Sequence, residues 1–172
     1  MPVVSVERTY LRLGTRAPSR APDTLPDATS IHEAPDCTAP AYRALYSAVG
    51  ATYNWRDRLA WSDQRLDEHL RSEAVRIWVL RDAHGAGGYF ELHRHPDDSV
   101  EIAYFGLVAS RHGRGLGRAL LTRAIDEAWR WGATSVWLHT CTLDDPAALP
   151  NYRARGFEPF RSETYEATLP DP

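Results

Sequence analysis

Lysine is absent from this sequence, so all 20 of its Lys and Arg positions are arginine. The absence excludes a Walker A loop, whose Gly-Lys-Ser/Thr end needs a lysine for the phosphates. Net charge is also low, with a formal value of −3 and a pI near 6.1. Such a chain has no electrostatic attraction for nucleic acid or an anionic membrane, and we expect neither as a partner.

Cysteine and long apolar runs are scarce as well. Cys37 and Cys141 are the two cysteines, too few for a disulfide framework. The apolar stretches fall short of a membrane span. Residues 1–8 carry early charges without the apolar segment of a secretory signal. We therefore expect a cytoplasmic protein.

The length of the chain is sufficient for one domain with a sizeable core. Its 172 residues are 43% hydrophobic and 25% charged, which is ordinary for a globular protein. We expect a single domain over residues 1–172, either monomeric or homodimeric. Residues 14–40 hold five prolines and no core pattern, so we predict a long Pro-rich loop within that domain, either functional or mobile.

Hydrophobic periodicity, turn residues and capping residues predict the order β-α-α-β-β-β-α-β-α-β. This order indicates an α+β fold, with one mixed sheet of about six to seven strands flanked by about four helices. Arg8 and Arg12 place the first strand at a sheet edge. The strands are predicted at 3–13, 75–81, 88–95, 100–108, 135–141 and 157–165, and the helices at 41–49, 62–70, 115–131 and 147–155.

The most informative segment is the glycine-rich loop at 111–118, between the strand at 100–108 and the following helix. Its glycines stand at 113, 115 and 117. Glycine lets the backbone approach a ligand closely and turn its N–H groups inward. The helix N-terminus adds free amides and the positive end of a dipole. The loop therefore predicts a pyrophosphate site, with a glycine-rich turn without ligand as the alternative.

A dinucleotide-binding fingerprint does not fit this loop. The pattern G-x-G-x-x-G, started at Gly113 or Gly115, requires a last glycine where the chain has Arg118 or Leu120. The fit is better to the Arg/Gln-x-x-Gly-x-Gly/Ala signature at a strand-to-helix junction.

That signature belongs to the GNAT acetyltransferase superfamily, which the sequence resembles. Gly115 and Gly117 match it, while His112 stands where the superfamily prefers Arg or Gln. Downstream, Tyr152 and the pair at 156–157 resemble the Tyr-x-x-x-Gly-Phe that closes GNAT folds, and Asp145 stands where members often have Asn. The resemblance covers residues 77–160 and is similar in detail to an uncharacterised bacterial branch.

The resemblance implies a GNAT-like fold and acetyl-CoA as co-substrate. The backbone at 107–108 is expected to pair with the pantetheine arm like an added strand. The residues expected to contact the co-substrate are Leu107, Val108, His112, Gly113, Arg114, Gly115, Leu116, Gly117 and Arg118.

Transfer of an acyl group to an amine needs a base for the ammonium and an acid for the departing thiolate. Glu101 is the first candidate base, six residues before Leu107 and opposite in parity to Ile102 and Tyr104. The histone-acetyltransferase branch is similar here, with a Glu-Ile pair. An exposed strand glutamate without catalytic role is the alternative, and Glu91 and then His139 are the next candidates.

Tyr152 is the candidate acid. The resemblance places its hydroxyl near the sulfur of CoA, where it could protonate the thiolate. A tyrosine near the start of a helix is also commonly a packing residue, and this alternative stays open.

The acceptor site is expected to use Trp55, Trp61, Glu91 and His139. Trp55 and Trp61, with Tyr53, belong to an aromatic connector between the first two helices, which flank the acceptor site in related folds. Filling of the core is the alternative for these aromatic side chains.

No metal is expected. The pairs His93/His95 and His139/Cys141 each share one strand face, but they lie on different strands without a diagnostic loop. Alternating residues of this kind are frequent in strands.

The sequence therefore predicts an acetyl-CoA-dependent N-acetyltransferase that transfers the acetyl group directly to a primary amine of a small molecule or a peptide. An acyltransferase with another acyl group or a hydroxyl acceptor is the alternative enzyme. A non-catalytic acyl-CoA-binding module is the alternative from another class.

Overall fold

The computed structural model of the chain describes residues 1–17, 23–51 and 53–169. Within these residues, seven strands form one mixed sheet and four α-helices flank it, as predicted. The strands are β1 (Val3–Leu13), β2 (Ser30–Glu33), β3 (Val75–Asp82), β4 (Gly85–Arg94), β5 (Val100–Leu107), β6 (Val136–Cys141) and β7 (Glu158–Thr168). The helices are α1 (Ala39–Gly50), α2 (Asp63–Leu70), α3 (Leu116–Arg130) and α4 (Ala148–Ala154).

The strands lie in the order β2-β3-β4-β5-β6-β1-β7. Neighbouring strands are antiparallel, with the exception of β5 and β6, which are parallel. A parallel pair needs a crossover, and α3 supplies it. The predicted α+β class is confirmed. None of the helices in the described ranges is long and apolar enough to cross a membrane.

The prediction that β1 is an edge strand is wrong. β1 pairs with β6 on one side and with β7 on the other. Its arginines are accommodated by β7: Arg8 forms an ion pair with Glu163 at 3.1 Å, and Arg12 lies 5.2 Å from the centre of the Phe160 ring. Charged residues on an interior strand are tolerated here because the neighbouring strand supplies their partners.

The prediction of a continuous loop over 14–40 is also wrong. β2 lies inside this segment and pairs with β3, and its Ile31 is buried. α1 begins at Ala39, capped by the side chain of Thr38. Residues 18–22, with two of the prolines, lie outside the described residues. A four-residue strand with one buried side chain is too short for a periodic signal, so the sequence pattern did not reveal it.

The two faces of the sheet carry separate cores. α3 covers one face with a buried row of residues, as its periodicity predicts: Leu116, Leu120, Ala124 and Ala128. α1 and α2 cover the other face, where three buried tyrosines, Tyr42, Tyr46 and Tyr89, pack among aliphatic residues. Ser62 caps α2 as predicted, since its side chain accepts a hydrogen bond from Arg65 N–H.

A β-bulge in β5 changes the direction of its side chains. Glu91 of β4 lies opposite Tyr104, and the next residue, Leu92, lies opposite Ile102, so Ala103 is the extra residue. Because of the bulge, Tyr104 and Glu101 point to the same face of the sheet, which is also the face of residues 91 and 93 of β4. The predicted opposite parity of Glu101 and Tyr104 is therefore wrong, because strict alternation does not anticipate an inserted residue.

Candidate active site

A cavity of about 890 Å³ opens between β5 and β6. The ladder between these two strands covers the pairs Val100–Val136 and Glu101–Trp137. Beyond it, residues 102–107 of β5 and residues 138, 139 and 141 of β6 form opposite walls of the cavity. The connector at 53–57, parts of the loop at 112–118, the turn after β6, α4, Arg8 of β1 and the end of β7 also contribute to the lining.

The glycine-rich loop lies at one end of this cavity. Gly113 and Gly115 have positive φ angles of 78° and 74°, in the left-handed region where side chains are disfavoured. Gly115 is the N-cap of α3, and the helical hydrogen bonds begin with Ala119 N–H to the Gly115 carbonyl at 3.3 Å. The amides of the first helical turn are thus left at the open end of α3, where Gly117 lines the cavity.

The start of the loop is attached to β3 by an ion pair. The guanidinium of Arg111 contacts both carboxylate oxygens of Asp82, at 2.8 and 2.9 Å. Hydrogen bonds from Arg111 and from the backbone of His84 lower the pKa of the Asp82 carboxyl. This two-point contact holds the loop in one position before any ligand arrives.

His112 and Leu107 link the loop to the strand. The Nε2 atom of His112 lies 3.1 Å from the Leu107 carbonyl oxygen, which can only accept, so Nε2 carries the proton. The predicted loop residues that do line the cavity are Leu107, His112, Gly113, Gly117 and Arg118.

Four of the predicted co-substrate residues lie elsewhere. Val108 donates its N–H to the Gly87 carbonyl and accepts from Arg111 N–H, both at 2.9 Å, so its backbone is already paired. Leu116 is a core residue. Arg114 and Gly115 are exposed in the turn outside the cavity wall. A strand-to-helix motif predicts the loop but not which of its residues face inward.

Tyr152 of α4 lies on the cavity wall. Its ring packs edge-on against Phe157 at 6.0 Å between centroids, so the closing Tyr-x-x-x-Gly-Phe motif also has a packing role. Burial, followed by the nearby charge of Asp144, raises the pKa of the Tyr152 hydroxyl. The hydroxyl is therefore protonated at neutral pH and can donate a proton.

The aromatic connector divides between cavity and core. Tyr53 and Trp55 line the cavity, and the Trp55 ring lies edge-on to Tyr104 at 5.0 Å. Trp61 lies away from the cavity lining: its ring packs against His69 at 5.4 Å, and the Arg58 guanidinium stands 4.8 Å from its centre. The two predicted acceptor-site tryptophans are therefore not brought together.

Asp57 places a carboxylate on the same wall. It accepts a hydrogen bond from Tyr46 at 2.6 Å and another, short one from Tyr104. Burial, followed by the bond to Asp57, raises the pKa of both tyrosine hydroxyls. Both tyrosines thus stay protonated donors, and they orient an exposed carboxylate towards the cavity.

Glu91 is completely buried, so the prediction that it belongs to the acceptor site is wrong. Its carboxylate is bound by Arg58 at 2.6 Å, by His69 at 2.7 Å and by the Tyr42 hydroxyl at 2.7 Å. Burial alone would raise the pKa of Glu91, but the bonds to His69 and Arg58 outweigh it and hold the pKa below its usual value. Glu91 has no route to an acceptor in the cavity.

Glu101 lies beside the cavity and not in its lining. Its carboxylate lies 2.9 Å from Nε2 of His95, and its backbone is opposite His93 in the ladder. The side chain is 14% exposed. The structure therefore places it next to two histidines that the sequence had not associated with it.

His139 of β6 is on the cavity wall. Its ring packs against Tyr10 at 5.5 Å. Desolvation by the surrounding wall, followed by the positive charge of Arg8, lowers the pKa of His139, and the charge of Glu101 partly opposes this shift. The imidazole is therefore neutral at pH 7 and can accept a proton.

Sequence reasoning missed several polar residues of the cavity. Asp57 could have been found from the sequence, because it is a carboxylate between Trp55 and Trp61 in the aromatic connector. Arg8 and Asp144 had no signal, because their position on the wall depends on β1 and on the turn after β6. Asp144 accepts from Thr140 at 2.7 Å and from the Cys141 N–H at 2.9 Å.

Comparison with known sequences agrees with this geometry. The sequence model of the Acetyltransferase (GNAT) family matches residues 40–157, which is more than half of the chain. Uncharacterized N-acetyltransferases from Mycobacterium bovis and Mycobacterium tuberculosis are 34% identical over 77 residues, or 45% of this chain and 49% of theirs. The chain spans about half the length of the curated relatives it matches.

Solved structures share the fold at low identity. A GCN5-related N-acetyltransferase from Sphaerobacter thermophilus has a TM-score of 0.71 and 17% identity, over 94% of this chain and 51% of that one. The ribosomal-protein-S18-alanine N-acetyltransferase of Escherichia coli has a TM-score of 0.60 and 20% identity, over 76% and 77%. An aminoglycoside acetyltransferase from an uncultured soil metagenomic sample has a TM-score of 0.62 and 16% identity, over 74% of this chain and 87% of that one.

The divided sheet, the glycine loop at the N-terminus of α3 and the family match over residues 40–157 lead to one assignment. The predicted acyltransferase family is thereby confirmed. The chain belongs to the acetyltransferase (GNAT) family.

Proposed function

We propose that this protein is an acetyl-CoA-dependent N-acetyltransferase that transfers acetyl directly to a primary amine. One observation carries the proposal: the cavity between β5 and β6 joins the glycine loop, Tyr152 and an aromatic wall that bears a carboxylate. These are a site for a pyrophosphate, a proton donor and a site for a cation. Two substrates that meet there need no covalent enzyme intermediate.

The co-substrate site would use the backbone at two places. The first-turn amides of α3 and the positive end of its dipole suit the pyrophosphate of CoA. The edge of β5 that faces the cavity, including Leu107, offers peptide groups to the amides of the pantetheine arm. When bound, acetyl-CoA supplies the thioester from which the acetyl group is transferred.

The acceptor site would favour a cation. Asp57 attracts an ammonium, and the nearby faces of Trp55 and Tyr53 add cation–π attraction of about 0.5–2 kcal/mol. Two structural neighbours are named for amine-bearing acceptors, the alanine of ribosomal protein S18 and aminoglycosides. We therefore propose a primary amine on a cationic small molecule or peptide.

We assign removal of the ammonium proton to His139, with support from Glu101. His139 lines the cavity and is neutral, so it can take the proton directly or through one water. The charge of Glu101, felt at His139, stabilises the imidazolium that results. Glu101, our first candidate from the sequence, thus keeps a part in the proton path without touching the acceptor.

Tyr152 would complete the transfer. A nitrogen–carbon bond forms at the acceptor and the carbon–sulfur bond breaks, while the Tyr152 hydroxyl gives its proton to the departing sulfur. The Tyr152 hydroxyl is protonated at neutral pH, as this step requires. Proximity and orientation of the two substrates account for much of the remaining rate enhancement.

Release of CoA, followed with a thiol reagent against a panel of amines, tests the function. We expect turnover with a cationic primary amine and a decrease of about 100- to 10,000-fold in Tyr152→Phe, the range of general acid–base catalysis. Thermal stabilisation by acetyl-CoA should be unchanged in that variant. Full turnover in Tyr152→Phe would assign Tyr152 to packing alone.

Two further variants separate the proposed function from its alternatives. Acetyl-CoA at 100 times its dissociation constant should stabilise the fold by about 2.7 kcal/mol, and Gly117→Glu, at a position that lines the cavity, should abolish this effect. Stabilisation without CoA release for any amine or alcohol would instead indicate a non-catalytic acyl-CoA-binding module. His139→Gln should lower turnover by about 100-fold, and a larger loss in Glu101→Gln than in His139→Gln would return the base to Glu101.

A further inference from the structure

Three potential metal ligands meet on the sheet face under α2. They are His93 of β4, His95 just after the end of β4, and Glu101 of β5, and one ligand atom from each lies within 4.8 Å of the other two. The imidazole Nε2 of His95 is 2.9 Å from a carboxylate oxygen of Glu101. The two imidazole rings lie 4.5 Å apart between centroids, at an angle of 32°.

The register of two strands creates this cluster. The chain leaving β4 brings the His95 ring against that of His93, and the antiparallel ladder puts Glu101 directly opposite His93. In the sequence, His139 and Cys141 were the other pair considered, and no metal was expected. The actual third member comes from the neighbouring strand, where only the ladder register could identify it.

We propose that His93, His95 and Glu101 form a binding site for a divalent zinc ion. Two imidazole nitrogens and one carboxylate oxygen, with water in the fourth position, form a set typical of open tetrahedral zinc sites. At the usual zinc–nitrogen and zinc–oxygen distances, tetrahedral ligand atoms are about 3.4 Å apart. The present separations, from 2.9 Å to at most 4.8 Å, bracket that value, so small side-chain rotations suffice.

The surroundings of the cluster support zinc over a harder cation. Imidazole ligands favour zinc and neighbouring transition metals, whereas Mg²⁺ and Ca²⁺ prefer sites of oxygen alone. Each imidazole ring packs against a second ring. The ring centroid of His95 lies 5.2 Å from that of Trp137, and the ring centroid of His93 lies 6.4 Å from that of His69. His69 is itself fixed by Glu91 at 2.7 Å, so the ligand rings are already oriented.

An ion can reach this site from solvent. The side chains of His95 and Glu101 are 30% and 14% exposed, so one side of the cluster remains open. The site also lies next to the proposed proton path, because Glu101 pairs in the ladder with Trp137, two residues before His139 on β6. A bound zinc ion would engage the Glu101 charge, and we expect it to slow acetyl transfer; this consequence rests on the proposed function.

Metal binding is tested on purified full-length protein without a histidine tag, after removal of metal by a chelator. Titration with Zn²⁺ in a calorimeter, and metal analysis after dialysis, should find one ion per chain. Affinity should fall at least about 10-fold in His95→Ala and in His93→Gln. His32→Ala and His84→Ala change exposed histidines outside the cluster and should bind as the wild type does.

Several outcomes would overturn the site. Absence of stoichiometric binding, equal affinity for Mg²⁺ and Zn²⁺, or the same loss in His84→Ala as in His95→Ala would each do so. Co²⁺ provides a second measurement, because its visible spectrum reports imidazole coordination independently of affinity. If one cluster variant fails to fold, the other variant and the Co²⁺ spectrum still decide the question.

Turnover measurements test whether zinc binding at this site regulates acetyl transfer. Acetylated amine is quantified by mass spectrometry with and without Zn²⁺, and each protein is compared with its own metal-free turnover. Zinc should inhibit the wild type at least about 10-fold more strongly than His95→Ala, and equal inhibition would contradict the regulatory role. Absence of turnover in metal-free wild type would contradict the proposed function alone, since zinc binding is measured without substrates.

Discussion

Two carboxylates on the same side of the sheet, those of Glu91 and Asp57, are each bound by tyrosine hydroxyls but have opposite surroundings. Glu91 is completely buried and carries an arginine and a histidine as further partners. Asp57 is exposed on the cavity wall, where Tyr46 and Tyr104 hold it. Glu91 is buried and its carboxylate oxygens are bound by three side chains, so it cannot reach a substrate. Asp57 is bound by tyrosine hydroxyls and is exposed, so its carboxylate is available to a ligand.

The connector between α1 and α2 links the two regions through adjacent residues. Asp57 faces the cavity, and the next residue, Arg58, is buried against Glu91 at 2.6 Å. The buried ion pair therefore determines where the connector lies, and with it the position of Trp55 and Asp57 on the wall. The Glu91 cluster therefore has a structural role, and we propose that the Asp57 wall binds ligand.

The largest expected effect is on stability, in Glu91→Gln. The amide leaves the Arg58 guanidinium buried without its counter-charge, so we expect the free energy of unfolding to fall by about 3–5 kcal/mol. Urea denaturation measures this change, and Glu73→Gln, at an exposed position, is the control. A decrease in the free energy of unfolding of less than about 1 kcal/mol would contradict the structural role assigned to Glu91.

The same cluster predicts a loss of stability in acid. The pKa of Glu91 is lower in the folded state than in the unfolded chain, so the folded state binds fewer protons. The contribution of Glu91 is complete above the unfolded pKa, about 4.3, and is lost as pH falls through the folded value. Denaturation from pH 6 to pH 3 should show a shallower pH dependence in Glu91→Gln than in wild type.

Asp57→Asn should affect binding more than folding. Loss of the negative charge is expected to raise KM for a cationic amine about 10-fold, or about 1.4 kcal/mol. Unfolding should become easier by about 1 kcal/mol, because the amide keeps an acceptor oxygen for one tyrosine. KM for a neutral amine should stay unchanged, and the exposed Asp27→Asn provides the matched control. An equal rise in KM for both amines would mean that Asp57 shapes the pocket without recognising charge.

The smallest expected effect is a shift in the acid limb of the pH profile. Because desolvation and Arg8 lower the pKa of His139, the midpoint of the fall in kcat/KM should lie below the ordinary histidine value of about 6.5. Protonation removes the proposed base, so activity decreases as pH falls. The limb should disappear from the residual activity of His139→Gln, and an unchanged limb would place the base elsewhere.

Much of the fold follows from local chemistry and was predictable. α2 begins after Ser62 because that hydroxyl accepts from a first-turn amide, and α3 carries its apolar row at helical spacing. Long-range pairing was not predictable in the same way. β2 is too short to give a pattern, and the arginines of β1 suggested a solvent-exposed edge although β7 supplies partners for them.

In the candidate site, too, local features were predictable from the sequence and long-range contacts were not. The glycine loop is a property of consecutive residues, since positive φ angles and free helix amides are local features, and the sequence by itself determined it. The neighbours of Glu101, the burial of Glu91 and the position of Asp57 were decided only by the tertiary structure. Strand register, one bulge at Ala103 and the separation of β5 from β6 create them, and each depends on contacts between residues far apart in the chain.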